Sequence, residues 1–187
     1  MSPQPFDRNA LHRLFDEVAT ELQTRNAHGN LYVIGGSALA LAYDATRTTH
    51  DVDARIEGDH GEVIRAIRTV SIRHGLPSTW INEQATPFMP RQSDDSATAV
   101  YQHPNLTIKA ASVDHLIAMK LNSNRASDLN DVQRLIERSP KPVTAVHLEQ
   151  LVSALYGPDD INKNLALRID SVELPEPPTI EPPGLGF

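Results

Sequence analysis

Cysteine is absent from the 187-residue chain. That excludes a disulfide scaffold, a thiol nucleophile and a thiolate zinc site together. It also fits a cytoplasmic location, where thiols need no oxidation partner. Aromatic residues are scarce, at 5%, with a single tryptophan, Trp80. No apolar run approaches the ~20 residues needed to cross a bilayer, so no membrane association is expected. The opening residues, Met-Ser-Pro-Gln-Pro-Phe-Asp, lack a basic start and an apolar stretch, and no signal peptide is read from them. Eight histidines show neither HxH nor HxxxH spacing, which argues against a zinc site. A basic excess is lacking too. The net charge is −7, of which −4 falls in residues 157–187, so nothing in the overall charge marks a nucleic-acid coat.

What is present is an ordinary globular composition, 40% hydrophobic and 22% charged, at a length that suits one domain. Residues 7–26 predict an amphipathic helix. Leu11, Leu14, Phe15, Val18, Ala19 and Leu22 repeat at helical spacing, behind Asp7 as N-cap and with Phe6 placed to staple onto Leu11. Leu31–Ile34 predicts a buried strand, Gly35-Gly36-Ser37 a turn, and Ala38–Ala42 a helix opening after it. Asp51–Ile56 predicts a second strand. Residues 60–74 predict a helix with Asp59 and Glu62 as a capping box and Gly75 as the residue that ends it. Proline-punctuated residues 76–96 read as irregular, and 98–101 with 106–110 as a hairpin around His103-Pro104-Asn105. Helices at 113–123, 128–138 and 145–156 follow, with Ser112, Ser127 and Thr144 as caps.

This order predicts an α/β (α+β) fold. Residues 1–111 would form a core with a short mixed sheet and an N-terminal helix. Residues 112–173 would add a helical part of the same compact unit, and 174–187, with five of the 14 prolines, an extended tail.

The chemistry concentrates between Val33 and Asp53. Strand side chains alternate, so Asp51 and Asp53 project to one side while Val52 points to the core. Two adjacent carboxylates repel each other, and a divalent cation relieves that repulsion. Mg²⁺ prefers carboxylate oxygens and keeps phosphate oxygens in its shell. The alternative is a solvent-facing strand with two harmless acids, although aspartate is poor in strands. A glycine pair between strand and helix lets backbone N–H groups approach a phosphate, with the Ser37 hydroxyl as a further donor. A plain strand-to-helix turn is the bland alternative. Lys120 follows Val113, Leu116 and Ile117 at i+7, i+4 and i+3 on one apolar stripe. A cation there needs a partner or a charged ligand, unless it snorkels to water. Asp131 shares a face with Leu135 and could reach Lys120 or a metal, while Asp128 could serve as a helix-start charge instead. Arg47 precedes the acid pair and could touch a triphosphate; a plain surface arginine is the equal alternative. Trp80 reads as a satellite core residue more readily than as a base-stacking wall. Arg65, Arg68 and Arg73 read as a solvated helix face more readily than as an RNA-facing patch.

A Gly-Ser pair followed by Asp-x-Asp on the next strand resembles the signature of the DNA polymerase β-like nucleotidyltransferases. Here thirteen residues separate Ser37 from Asp51. The segments GGSALALAY…RTTHDVDA, GLPSTWINEQATPFMP and HLIAMKLNSNRASDLNDVQRL resemble the toxin-type branch known as AbiEii/MenT. Together they span residues 33–135. The resemblance implies a residue set. Gly36 and Ser37 match the phosphate-binding turn, and Asp51 and Asp53 the metal-binding acids. Lys120 matches a lysine that holds the triphosphate, and Asp131 a later acid of the catalytic site. One departure stands out: polymerase β-like enzymes often carry a third acid on a later strand, and residues 98–110 contain none.

The implied activity is a Mg²⁺-dependent nucleotidyltransferase, with Mn²⁺ as an alternative metal, moving NMP from an NTP to an acceptor hydroxyl. The resemblance points to an RNA or tRNA 3′ end as acceptor, and to a toxin with a cognate antitoxin protein. A small-molecule or protein hydroxyl as acceptor, and a non-catalytic nucleotidyltransferase-like partner, stand as the other readings. Ser37, Thr48 and Thr49 place hydroxyls between the glycine turn and the acids. Phosphate there would add about −1.5 to −2 charges where an anionic triphosphate must enter.

Overall fold

The structure is a computed structural model that describes residues 5–123, 125–139 and 142–175. The proline-rich tail expected over 174–187 falls almost wholly outside the described residues. The chain divides into two compact units, residues 1–112 and 113–187. No helix of the described residues is long and apolar enough to cross a membrane.

The first unit is built on a five-stranded mixed sheet in the order β3-β2-β1-β5-β4. Its strands are β1 (Gly29–Val33), β2 (Val52–Gly58), β3 (Ile81–Asn82), β4 (Thr98–His103) and β5 (Leu106–Ala110). Strand β1 runs antiparallel to β2, with Leu31 opposite Ile56 and Val33 opposite Ala54, and parallel to β5, with Leu31 opposite Ile108. The period-2 alternation of strands therefore places all these apolar residues on one face, where each is buried. Tyr32, Arg55 and Lys109 share the other face.

Helices α1 (Arg8–Thr24) and α3 (His60–His74) pack against each other, α1 also against β4 and β5 and α3 against β2. Helix α1 buries Leu11, Leu14, Phe15, Val18, Ala19 and Leu22, the stripe its sequence spacing predicts, and α3 buries Val63, Ala66, Ile67 and Val70. Asp7 caps α1 by accepting the Ala10 N–H at 2.7 Å. Gly75 ends α3 at φ 63°, a left-handed conformation that costs glycine little. Trp80, 1% exposed, lies in the core with its ring 6.5 Å from Phe15 and 6.1 Å from Phe6, and its indole N–H donates to the Ile67 carbonyl.

Three local expectations are corrected. Asp59 makes no capping bond; its carboxylate instead accepts the His28 N–H at 2.8 Å, so a tertiary contact has taken the group that a capping box would use. The region 76–96 is not wholly irregular, because β3 pairs in parallel with the start of β2, Val52 opposite Ile81 and Asp53 opposite Asn82. A two-residue strand is too short to show a period. Finally, the glycines lie inside helix α2 (Gly35–Ala38) and not before it. That helix runs into a π-helical turn, Leu39–Tyr43, closed by the Asp44 N–H on the Leu39 carbonyl at 2.7 Å.

The second unit holds α4 (Val113–Asn122), α5 (Asp128–Ile136), α6 (Ala145–Tyr156) and α7 (Leu165–Asp170). Leu116, Ile117, Leu121, Val132, Leu135, Leu148, Val152 and Ile169 form its core. Thr144 caps α6 through the His147 N–H. Ser127 makes no cap bond, because its backbone is already helical there. Helix α7 is not foreseen in the sequence. It is held by Arg168, whose guanidinium donates to the carbonyls of Lys120, Leu121 and Arg125 at 2.8, 2.9 and 3.1 Å. The carbonyls of Lys120 and Leu121, in the last turn of α4, have no intrahelical donor.

Candidate active site

Asp53 sits on β2, half-buried, and Asp51 is exposed one step before the strand. Val52 between them is fully buried, so the two acids project away from the core. The Ile34 N–H donates to the Asp53 carbonyl at 2.9 Å, which ties the end of β1 to this acid. The glycine turn therefore begins beside Asp53.

Gly35 adopts φ 64°, and a Cβ on it would lie 3.3 Å from Asp53 Oδ2. A side chain would thus be strained in conformation and pressed against the carboxylate. A Cβ on Gly36 would lie 3.4 Å from Thr49 Oγ1. The two glycines leave a shallow cradle whose wall is made by Asp53 and Thr49. The first N–H groups of a helix have no intrahelical acceptor, and they carry the positive end of its dipole. The Ser37 side chain is buried and donates to the Ile34 carbonyl at 2.9 Å. Thr49 is buried and donates to the Asp51 carbonyl at 2.9 Å, whereas Thr48 is exposed. Arg47 is half-buried in the same loop, its N–H on the Asp44 carbonyl at 3.1 Å.

In the helical unit Lys120 is 7% exposed, so it does not snorkel. Its ammonium donates to Asp131 Oδ2 at 2.7 Å and to Asp128 Oδ1 at 2.9 Å. Asp128 Oδ2 accepts the Ser123 hydroxyl at 2.6 Å. The Asp128 carboxyl is held below the usual carboxylate range. Burial, the largest single influence, pushes it up, and the bonds from Ser123 and Lys120 together pull it further down. Asp128 thus opens α5 as an ion-pair partner and not as a cap.

The donor set suits Mg²⁺, which commonly takes one or two carboxylates and completes its shell with water and substrate phosphates. Asp51 and Asp53 supply two, and the glycine cradle leaves room beside Asp53 where a Cβ would otherwise lie. Among the described residues no three His, Asp or Glu side chains gather into a metal-holding group.

Sequence reasoning missed three features here. The Thr49 bond had a signal, since a threonine hydroxyl often reaches a backbone group two residues on. Asn82, opposite Asp53 on β3, had none. Asp94 had none either; it accepts the Tyr32 hydroxyl and the Ser112 N–H, each at 2.7 Å, and lies in an irregular stretch. Burial first, and then that bond, push the Tyr32 hydroxyl well above its ordinary pKa, so it stays protonated and donates to Asp94.

A strand, a glycine turn opening a helix, and an acid pair on the antiparallel neighbour make up the core expected of a nucleotidyltransferase. Residues 9–158 match the family described as nucleotidyltransferase of unknown function (DUF6036), and the chain belongs to that family. Among solved structures it is similar to an antigenic nucleotidyltransferase-like protein from Paracoccidioides brasiliensis. That likeness is 13% in identity over 90% of this chain and 96% of the other, with a TM-score of 0.39. No curated protein matches the sequence significantly.

Proposed function

We propose that the protein is a Mg²⁺-dependent nucleotidyltransferase of the cytoplasm that transfers NMP from an NTP to the 3′ hydroxyl of an RNA, with tRNA foremost, and releases pyrophosphate. It would act as the toxin of a pair with a cognate antitoxin protein. The observation that carries the reading is the seat of Asp53 Oδ2 at the glycine turn, 3.3 Å from where a Gly35 side chain would begin. That closeness supports a reading in which the carboxylate and the backbone N–H groups of the turn share one ligand. Asp51 and Asp53 hold the metal, which supplies charge neutralisation at the triphosphate and a more acidic acceptor hydroxyl. The N–H groups at Gly36 and Ser37 receive phosphate oxygens. The family resemblance assigns Lys120 to the triphosphate, as its counter-charge, and Asp131 to the catalytic residues, and Arg47 is proposed as a further nucleotide contact.

The toxin role and the RNA acceptor rest on the resemblance of residues 33–135 to the AbiEii/MenT branch. A second reading, a small-molecule or protein acceptor, is favoured by the charge pairing on α3. Arg73 bonds Glu17 and Glu21, and Arg65 bonds Glu62, so these arginines already have carboxylate partners. Incubation with each labelled NTP, Mg²⁺ and total RNA tests both. Label in RNA supports the first reading, label in another molecule the second, and no label from any NTP overturns the transferase.

A further inference from the structure

We propose that Thr49 is the positioning residue for Asp51, and that Phe6 completes the frame that holds it. The inference rests on the reading of Asp51 as a metal-holding carboxylate.

The peptide unit between Asp51 and Val52 is pinned at both of its polar atoms. Its carbonyl oxygen accepts the Thr49 hydroxyl at 2.9 Å, and its N–H donates to the Trp80 carbonyl at 2.7 Å. A peptide plane held at both ends cannot rotate, which fixes the Asp51 Cα; with Thr49 anchored two residues earlier, little backbone freedom is left to redirect the Asp51 Cα–Cβ bond. Thr49 is fixed in turn. It exchanges two backbone bonds with Phe6, the Phe6 N–H on the Thr49 carbonyl at 2.6 Å and the Thr49 N–H on the Phe6 carbonyl at 3.0 Å. The Phe6 ring packs on the Trp80 ring at 6.1 Å. A closed circuit results: Phe6 to Thr49, Thr49 to the Asp51 carbonyl, Val52 to Trp80, and Trp80 back to Phe6.

Asp51 itself is exposed, and nothing in the circuit needs its carboxylate. The frame fixes the backbone of a surface acid and leaves the acid head to solvent. The Val52 bond and the Phe6–Trp80 contact serve the fold at the β2–β3 edge, and the Thr49 hydroxyl adds a hold on the Asp51 carbonyl itself. For a metal it matters, because a carboxylate aimed in advance loses less freedom on binding. The same hydroxyl oxygen lies 3.4 Å from the Cβ position of Gly36, so one atom sets both the aim of Asp51 and the wall of the glycine cradle.

The test compares Thr49→Val, which keeps the shape and removes the hydroxyl, with Thr49→Ser, which keeps the hydroxyl. Full-length protein is titrated with Mn²⁺ as a spectroscopic probe, and amide exchange is followed at Val52. Loss of an outer-shell partner costs about 10–100-fold in metal affinity, so Thr49→Val is expected to bind Mn²⁺ at least about tenfold more weakly. Val52 exchange rises in the same variant. Thr49→Ser restores both, and Thr49→Ala repeats the loss should valine prevent folding. In the transfer assay Thr49→Val lowers kcat more than it raises KM for the NTP. Wild-type Mn²⁺ affinity in both Thr49→Val and Thr49→Ala, or a Thr49→Ser variant as weak as Thr49→Val, overturns the assignment. A wild-type protein that binds no Mn²⁺ overturns the metal reading itself, and Thr49's role with it.

Discussion

At the residue scale, the acid pair and Lys120 call for opposite expectations from similar substitutions. Asp51→Asn or Asp53→Asn removes one of two carboxylates that project away from the core at the start of β2 and that should repel each other without a cation. The metal-free protein should therefore unfold at the same temperature or slightly higher, while transfer is lost. Calorimetry beside the labelled-NTP assay checks both, and near-normal transfer in either variant removes that acid from the site. Lys120 is different, because its ammonium neutralises two carboxylates in the helical core, Asp131 and Asp128. Lys120→Ala leaves Asp131 buried and Asp128 half-buried without their cation, a change that costs up to about 3–5 kcal/mol. Denaturant unfolding should show that loss, and Lys120→Arg should recover part of it, since charge returns in a different shape. Reduced turnover in Lys120→Ala is evidence for a triphosphate contact only at temperatures where the variant is still folded. Of the three hydroxyls near the acids, Thr48 is the exposed one, while those of Ser37 and Thr49 donate inside the fold. A phosphate delivered by a partner should therefore fall on Thr48, where mass analysis of protein co-expressed with its genomic neighbour would find it; phosphate on Ser37 instead would contradict this.

At the scale of the element, Gly35 and Gly75 make a matched pair. Both have φ near 63°, so alanine at either incurs the left-handed penalty of roughly 1–2 kcal/mol. Only Gly35 has a neighbour, Asp53 Oδ2 at 3.3 Å, while a Cβ on Gly75 meets nothing within 4 Å. Both alanine variants should lower the unfolding temperature similarly, and only Gly35→Ala should also weaken NTP binding. Equal binding by the two would separate the turn from the site. The same elements show what could be read in advance. Helices α1 and α3 and the β4–β5 hairpin announce themselves, because a long apolar period bounded by Gly, Pro or a cap leaves little choice. The strand β3 and helix α7 do not. The first is two residues long, and the second is held by Arg168 and by Asn162 and Gln133, whose side chains bond backbone groups forty or so residues away. Such polar ties leave no periodic trace. Within the site, the acid pair and the glycine turn were visible as types in sequence order. The seating of Asp53 against Gly35 depends on β1–β2 register and was not.

At the scale of the whole molecule, acid offers a way to read the two units separately. Trp80 lies in the first unit, so its emission reports on residues 1–112. The helical unit depends on Asp128, whose carboxyl is depressed through Ser123 and Lys120 despite the opposing effect of burial. A carboxyl depressed by folding contributes stability above its unfolded value, about 4, and that contribution disappears as pH falls through the lower folded value. In the first unit Glu17 is also depressed, chiefly by its bond to Arg73, and Glu62 by its bond to Arg65. Those pairs lie at the surface, where solvent and salt leave them worth little. As pH falls below about 4, part of the far-ultraviolet helix signal should therefore disappear before the Trp80 emission shifts. Asp128→Asn should make that first transition less dependent on pH, at the cost of lower stability near neutrality, because asparagine cannot answer the Lys120 charge. Circular dichroism and tryptophan emission recorded on the same acid titration decide the matter. Coincident transitions in the wild type, or an unchanged pH dependence in Asp128→Asn, would move the acid-sensitive step away from this ion cluster.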